Sequence, residues 1–437
     1  MSQNAPTLQI FTLGCKVNQY ESEAIAEHFE RAGFTLCHGD TACDLYIINT
    51  CTVTAESDRK ARQLIRRVHA HAPNAHILVT GCLAQANPAA VADLAGVAHV
   101  CGNTEKLSLL ETAESLLSGG KPARIRVGDV DNAPFEPMQI SRFDRTRAYV
   151  KIEDGCENRC TYCAIPGARG RVRSKALDDV VREVRCLTEN GCREVVLTGI
   201  ETASFGRDIG GVDLADLLCA VDEIQGIGRV RLGSLDPSLM KEGFVSRIAT
   251  LKHLTPHFHI SMQSGSSAVL AAMKRKYNSE QAMEGILRLR HAIPDVELTT
   301  DFIVGFPGES EEDFAQTMDF ARRAEFLSMH VFAYSPRKGT PAATFGGQIP
   351  AGVKKKRSAA LISLGAELTR ARQERALLSP SREVLFETFE NGLAIGHTDS
   401  FLEVAAPAKA PLHGELRTVQ LCGIRDGRLL GEILPHE

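Results

Sequence analysis

The chain has no tryptophan, and aromatic residues make up only 5% of its 437 positions. Surfaces that stack on exposed bases are built from aromatic rings, so composition alone does not announce a nucleic-acid binder. Charge does not either: 50 Lys and Arg face 54 Asp and Glu, a net charge of -4 with no overall positive field. Any RNA contact must come from local patches. No run of about 18 apolar residues occurs, so no membrane span and no membrane partner are expected. The opening MSQNAPTLQI lacks a basic segment and a long apolar core, and does not read as a secretion signal. Paired carboxylates for hydrolysis, a Ser/His/Asp order and a Walker phosphate loop are missing too. What the chain does have is cysteine. Thirteen of them, an odd number without framework spacing, fit metal or redox chemistry in a reducing cytoplasm rather than disulfides.

Three of these sit on one short loop. Residues 148–163 read AYVKIEDGCENRCTYC: an alternating strand-like run, a glycine turn at Gly155, then Cys156, Cys160 and Cys163 in C-x3-C-x2-C spacing. Soft thiolates this close select an iron–sulfur cluster or zinc. Zinc wants a fourth ligand nearby, and the next cysteine, Cys186, falls mid-helix by pattern. On a four-iron cube, three thiolates leave one iron open for a substrate. The intervening Glu157, Asn158, Arg159 and Thr161 give no apolar face that would make the three cysteines packing residues.

The chain begins with three strand-then-helix units. Leu8–Leu13 ends at Gly14-Cys15 before a helix expected from about Glu21 to Ala32, Leu45–Thr50 ends at Cys51 before a basic helix over 55–71, and 76–80 ends at Gly81-Cys82. Continuous apolar strands alternating with helices predict a parallel sheet buried on both faces, with ligands at the strands' carboxyl ends. Cys15, Cys51 and Cys82 each stand at such an end and are expected to share one crevice. Cys37 and Cys43 read as packing residues, and Cys101 as a possible fourth strand end.

From 148 to 336, six strand patterns alternate with amphipathic helices: 149–153, 195–199, 230–235, 258–263, 298–304 and 329–334. Six such units predict a partial barrel, open on one side, with function at the strands' carboxyl ends. Polar and glycine motifs stand there: Gly199 and Glu201, Ser234 and Asp236 (the latter suited to ribose hydroxyls), Gln263 and Gly265, and Gly305-Phe306-Pro307-Gly308 after Asp301. Basic residues beside the loop (Arg142, Arg145, Arg147, Arg169, Arg171, Arg173, Lys175) suggest phosphate contacts, as does the face of Arg59, Lys60, Arg62, Arg66 and Arg67. A Gly/Pro-rich linker over 345–353 precedes a helix from about Lys354 to Ala376, whose Lys354–Arg357 start reads as solvated. After Pro380, five short alternating strands predict a small β-barrel.

The loop spacing resembles the signature of the radical S-adenosylmethionine (SAM) enzymes. The run Thr12–Ser22 (TLGCKVNQYES), Asn49–Thr54 (NTCTVT) and Gly81–Gln85 (GCLAQ) are similar to the three N-terminal motifs of the methylthiotransferases. Lys-Val-Asn after Cys15 resembles the MtaB type; the isopentenyladenosine branch tends to carry Gln-Met-Asn there, and the ribosomal-protein branch Pro-Lys-Asn. Met273-Lys274-Arg275 and Tyr334-Ser335-Pro336 resemble the family's barrel, and the tail its TRAM domain.

The resemblance implies an α/β architecture: an N-terminal open parallel domain over 6–120, a partial (β/α)6 radical SAM core over 142–345 and a TRAM-like all-β barrel over 377–437. It implies two 4Fe-4S clusters, an auxiliary one on Cys15, Cys51 and Cys82 and a SAM-chelating one on Cys156, Cys160 and Cys163. SAM would serve as methyl donor and as radical source. The activity implied is 2-methylthiolation of N6-threonylcarbamoyladenosine at position 37, in the anticodon stem-loop of tRNA. An external electron donor such as flavodoxin or ferredoxin, and a sulfur source, are implied partners. Rival readings are methylthiolation of isopentenyladenosine or of a ribosomal protein, and, from another class, an iron–sulfur electron carrier or RNA-binding protein. Two triads that each leave an iron open weigh against a carrier, which closes its sites with four ligands.

Overall fold

Six parallel strands open the computed structural model, which describes residues 5–435. The first four residues of the opening segment and the last two of the tail module lie outside the described residues. In sheet order the strands are Thr35–Leu36, Thr7–Thr12, Leu45–Thr50, His76–Gly81, Val97–Cys101 and Ile125–Arg126. Every residue of Leu45–Thr50 is buried, as a central strand covered on both faces requires. The three expected units are present, and Val97–Cys101 is a fourth strand. The first helix, Lys16–Arg31, begins a turn earlier than its apolar spacing suggests. Its first turn is held by a tertiary contact: the buried Asn18 amide donates to the carbonyls of Leu13 (2.7 Å) and Thr50 (3.0 Å).

The barrel strands are Ala148–Lys151, Glu194–Thr198, Arg229–Leu232, His257–Gln263, Glu297–Val304 and Ser328–Ala333. The first three form one parallel sheet; the last three, with Ser234–Leu235, form another. A bridge from Val230 to Leu254 links the first sheet to the segment that leads into strand His257–Gln263 of the second. Ala148–Lys151 and Ser328–Ala333 are the two outer edges of this partial barrel. The first is covered by the N-terminal helix Lys16–Arg31, whose Tyr20 hydroxyl donates to Met138 O (2.6 Å) and lies 3.0 Å from Glu183 Oε1. Covering an edge this way blocks edge-to-edge pairing and also sets the N-terminal strand ends against the barrel.

Helix Ala351–Ala376 lies on strand Ser328–Ala333, with Gly365 close to the Met329 side chain. It starts directly after Pro350, inside the stretch expected to be a linker. Its basic start is only partly solvated. Arg357 is 5% exposed and donates to the Glu309 carbonyl and carboxylate, while Lys354 Nζ donates to Tyr334 O.

The tail is a closed five-stranded barrel, in order Ser381–Glu390, Leu393–Thr398, Glu403–Pro407, Arg428–Ile433 and Leu416–Arg425. Val384, Phe386, Val404, Val419 and Leu429 fill it. It docks beneath the larger barrel, at the amino ends of the strands. Arg229 donates to Glu383 O (2.8 Å) and Arg231 to Asp399 O (3.0 Å), and Phe401 stacks on His257 at 4.6 Å. The carboxyl ends of the strands are left to the site. Among the described residues no helix is long and apolar enough to cross a membrane.

Candidate active site

Two glycines let the first cysteine triad converge. Gly14 has φ +106, and a side chain there would place its Cβ 2.7 Å from Cys51 Cβ. Gly81 has φ +95, and a Cβ would collide with the Thr50 backbone. Cys15 caps the first helix, Cys51 follows its strand directly and Cys82 opens the short helix Cys82–Ala86. Because their three strands are neighbours in the sheet, all three cysteines reach one crevice, near enough for their charges to act on one another. Cys101 stays out of it: its thiol is buried and donates to Glu105 O at 3.1 Å. Cys43 is also turned to a carbonyl, that of Thr41.

The second triad lies on the irregular loop after Gly155, whose φ is +88 and where any Cβ would run into the Arg171 carbonyl. The loop is anchored at its start and in its middle. Cys156 N donates to Gly170 O (2.9 Å), Thr161 N to Met273 O (3.1 Å), and Ala342 N to Thr161 O (2.9 Å). Tyr162 packs beside Met273, Phe306 and Tyr334.

Each triad receives one arginine from outside it. Arg169 Nε lies 3.3 Å from Cys82 Sγ, and Arg275 Nη1 lies 3.3 Å from Cys160 Sγ. Burial pushes the free thiols up, Cys51 and Cys163 to about 11 and Cys156 to about 12. Thiols so placed become thiolates on a metal, which deprotonates its sulfur ligands outright. Tetrahedral zinc bonds sulfur at about 2.3 Å, so its ligand atoms crowd to about 4 Å from one another. Neither triad is that tight. Among the described residues, the only three metal-type groups whose ligand atoms lie within 4.8 Å of each other are His259, Asp301 and His330. Wider triads of soft sulfur, each with an N–H donor on one sulfur, fit a multi-iron cluster.

Gly199, Glu201, Ser234 and Asp236 gather beside the second triad, while Gln263 only ends a nearby strand and Gly265 packs elsewhere. Glu153 is fully buried and accepts the Glu201 N–H (2.7 Å); Gly199 leaves it room, since a Cβ there would come 2.7 Å from Glu153 Oε2. Glu201 accepts from Asn158 Nδ2, and burial together with Asp236 raises its carboxyl to about 7. Ser234 O accepts from Thr202 (2.6 Å). Both Asp236 oxygens are engaged, Oδ2 by Arg275 (2.6 Å) and Oδ1 by Ser238 N (2.9 Å). Gln263 ends its strand at φ +68. Gly265 faces helix Glu311–Ala324, where a Cβ would lie 2.7 Å from Thr317 Cα, so close packing accounts for that glycine.

The basic run beside the loop is a correction. Arg169, Arg173 and Lys175 are buried and neutralised, not aimed at phosphate. Arg169 binds Glu21 and Asn18 and lies 3.2 Å from Asp154; Lys151 joins Glu21 (2.8 Å) and Asp154 (2.9 Å), and Lys175 pairs with Glu183. Arg147 is held by Glu194 and Glu387. Arg142 and Arg145 stay exposed beside Glu30 and Glu23. On helix Ala55–His71 the expected face does stand in solvent, with Arg59, Lys60, Arg66 and Arg67 exposed.

Comparison with known proteins fits this architecture. A model of the radical SAM superfamily matches residues 150–321, and one described as uncharacterized protein family UPF0004 matches 7–102. The threonylcarbamoyladenosine tRNA methylthiotransferase MtaB of Bacillus subtilis is 37% identical over 95% of this chain and 93% of its own. The Thermotoga maritima protein of the same name is 39% identical over 91% and 90%. The chain belongs to the radical SAM methylthiotransferase family. A tRNA-2-methylthio-N(6)-dimethylallyladenosine synthase from Desulfitobacterium hafniense is 35% identical over 96% of the chain and 95% of its own length, so the family spans two substrate types. Among solved structures, the radical SAM methyltransferase TsrM of Kitasatospora setae superposes with a TM-score of 0.57 at 15% identity, over 78% of this chain and 77% of its own. That likeness shows a shared fold.

Proposed function

We propose that this methylthiotransferase converts N6-threonylcarbamoyladenosine of tRNA to its 2-methylthio derivative. One observation carries the reading: two separate cysteine triads, on two different units, face each other across a single buried charge network. Arg169 follows the second triad's loop and contacts Cys82 of the first, while Glu21, on the helix that Cys15 caps, binds both Arg169 and Lys151. The Bacillus subtilis and Thermotoga maritima relatives, each matched over at least 90% of both chains, carry this activity in their names.

Cys156, Cys160 and Cys163 would hold the cluster that chelates SAM, and Cys15, Cys51 and Cys82 the auxiliary cluster. With SAM, these groups supply one-electron chemistry and a methylthio group for an inert adenine C–H bond, reactivity that no side chain has. The chain's own residues bind, orient and shield. Arg275 spans Cys160 and Asp236, fixing the loop against the strand that bears Ser234. Glu201, steadied by Asn158 and by Glu153 through its N–H, offers a carboxylate to a cationic cofactor. The Phe401 stack joins the tail barrel to the amino end of the larger barrel. The exposed basic face of helix Ala55–His71 would track tRNA phosphates. The electron donor, such as flavodoxin or ferredoxin, and the sulfur source complete the proposal.

The test uses anaerobically reconstituted protein, reductant, SAM, sulfide and tRNA carrying threonylcarbamoyladenosine, with digested nucleosides read by mass spectrometry. A 2-methylthio product that is lost in Cys51→Ala is expected. Deoxyadenosine without that product would move the substrate elsewhere.

A further inference from the structure

Two buried donors converge on one sulfur. Cys82 Sγ accepts from Arg169 Nε at 3.3 Å and faces Asn103 Nδ2 at 3.8 Å, and none of the three residues is more than 3% exposed. Neither donor is free to turn away. Arg169 is clamped by Glu21 (2.5 Å) and Asn18 (2.6 Å) and lies 3.2 Å from Asp154. Asn103 Nδ2 also donates to Ala168 O at 2.7 Å, beside Arg169 in the chain. Asn103 Oδ1 accepts from Lys106 Nζ at 2.9 Å, so a buried ammonium polarises the amide that points at the sulfur.

The charge around this sulfur does not cancel. Lys106, Lys151, Arg169 and Arg173 are all buried, and among the described residues only two carboxylates, Glu21 and Asp154, pair with them. Glu136, the next acid, is raised by burial and spends Oε1 on the Leu107 N–H (2.9 Å). The second triad is different. Arg275 reaches Cys160 Sγ at 3.3 Å but is matched by Asp236 at 2.6 Å, and Glu201 lies near enough to act on the Cys156 thiol. Arg159 and Lys276 stand in solvent, which screens them. Backbone N–H groups reach thiols of both triads, Val53 N in the first and Asn158 N and Ile165 N in the second, so they do not set the two apart.

We propose that Arg169, together with Asn103 held by Lys106, tunes the cluster on Cys15, Cys51 and Cys82 to a higher reduction potential than the cluster on Cys156, Cys160 and Cys163. The inference rests on the cluster placement proposed above and goes beyond it. A four-iron cube gains negative charge when it is reduced. Positive charge nearby and N–H donors on its sulfurs therefore favour the reduced form, and burial keeps water from screening either. Two cubes held by the same kind of three-thiolate set are thus separated by the chain alone. The first accepts an electron more readily, and the more strongly reducing role stays with the second, where SAM would bind. Arg169 is a positioning residue here, because it acts on the cluster through Cys82.

The experiment is a redox titration read by electron paramagnetic resonance, on anaerobically reconstituted full-length protein without SAM or tRNA. Two backgrounds each keep one cube. Cys156→Ala with Cys160→Ala and Cys163→Ala leaves the first triad; Cys15→Ala with Cys51→Ala and Cys82→Ala leaves the second. The first-triad cube should have the higher midpoint. At that midpoint, adding Arg169→Gln should cut the ratio of reduced to oxidised cube about tenfold, a downward shift of about 59 mV for one electron. The same substitution should move the second-triad midpoint far less. Arg169→Lys keeps the buried charge but not the Nε donor, so it should shift the first midpoint part of the way, and it decides the matter if Arg169→Gln does not retain about four irons. A first-triad midpoint at or below the second overturns the proposed order. A midpoint that ignores both Arg169 substitutions, or equal shifts in the two backgrounds, overturns the tuning. So does loss of the cube from both Arg169 variants, which would make the residue structural only. If the first background takes up no four-iron cube at all, the cluster placement itself fails; if it takes one up and the midpoint ignores Arg169, only this inference fails.

Discussion

Arg169 Nε lies 3.3 Å from Cys82 Sγ, while the same guanidinium holds Glu21 and lies beside Asp154. One side chain, with no exposed surface, thus joins the second triad's loop, the first helix and a ligand of the first triad. Breaking a buried pair by removing one partner leaves an uncompensated charge, at a cost of about 3 kcal/mol or more. Arg169→Met should therefore lower the urea-unfolding free energy of the cluster-free protein by about that amount, and Glu21→Gln in the same background should recover part of it. Unchanged unfolding in Arg169→Met would show that the network does not stabilise the fold.

Gly155→Ala tests the loop that carries the second triad. A β-carbon at φ +88 would collide with Arg171 O and move Cys156 away from its partners. Reconstituted iron should fall from about eight to about four per chain, as one cube is lost. Gly167→Ala, on the same segment but with open space at its Cβ, should keep both. Equal iron in the two variants would contradict the placement.

Much of this arrangement was legible in the sequence because it is local. Buried parallel strands are short apolar runs, and a cysteine just past each run must stand at a strand end. The register of three adjacent strands did the rest. The buried charges were not legible. Arg169 finds Glu21 at 148 positions' separation and Arg275 finds Cys160 at 115, so a local window shows only a basic stretch. The same limit hid the early start of the first helix, fixed by Asn18 reaching Thr50, and the Phe401 stack between two barrels. His259, Asp301 and His330 come from three strands, and no spacing rule links them.

Glu201 gives the pH dependence a sign. Burial and Asp236 raise its carboxyl to about 7, so below that pH it is mostly protonated and cannot pair with a cationic ligand. If Glu201 contacts SAM, affinity rises with pH up to about 7 and then levels, with Glu201 releasing one proton per SAM bound at lower pH. Titration calorimetry of reconstituted protein at pH 6, in two buffers of different ionisation enthalpy, counts that proton. Glu201→Gln should flatten the slope and release one proton fewer per SAM than the wild type, the remainder coming from the ligand's own α-ammonium; equal proton counts in the two proteins would assign the titration to another group.

Phe401 sits at φ +71, with its ring 4.6 Å from both His257 and His397 and 4.9 Å below the Arg231 guanidinium. Phe401→Ala removes two ring stacks and a cation–π contact together. A loss of about 3 kcal/mol is expected. Because a tail strand carries His397, the two barrels should also unfold in separate steps. A single transition at the wild-type temperature would mean that the modules are joined by other contacts.

The exposed arginines of helix Ala55–His71 yield the last prediction. Arg66 and Arg67 have no carboxylate partner among the described residues, whereas Arg59 is paired with Glu56 at 2.7 Å. A phosphate contact releases counterions, so each one steepens the fall of affinity with salt by about one logarithmic step. Arg66→Gln with Arg67→Gln should weaken tRNA binding at low salt and flatten the salt slope by up to about two. It should weaken binding of modified and unmodified tRNA alike, because phosphate contacts position the RNA and carry no information about the modified base. Arg59→Gln should do less, since its guanidinium is already committed to Glu56. If both variants keep the wild-type slope, the tRNA backbone crosses another face, and the positive patch on this helix is a solvated surface only.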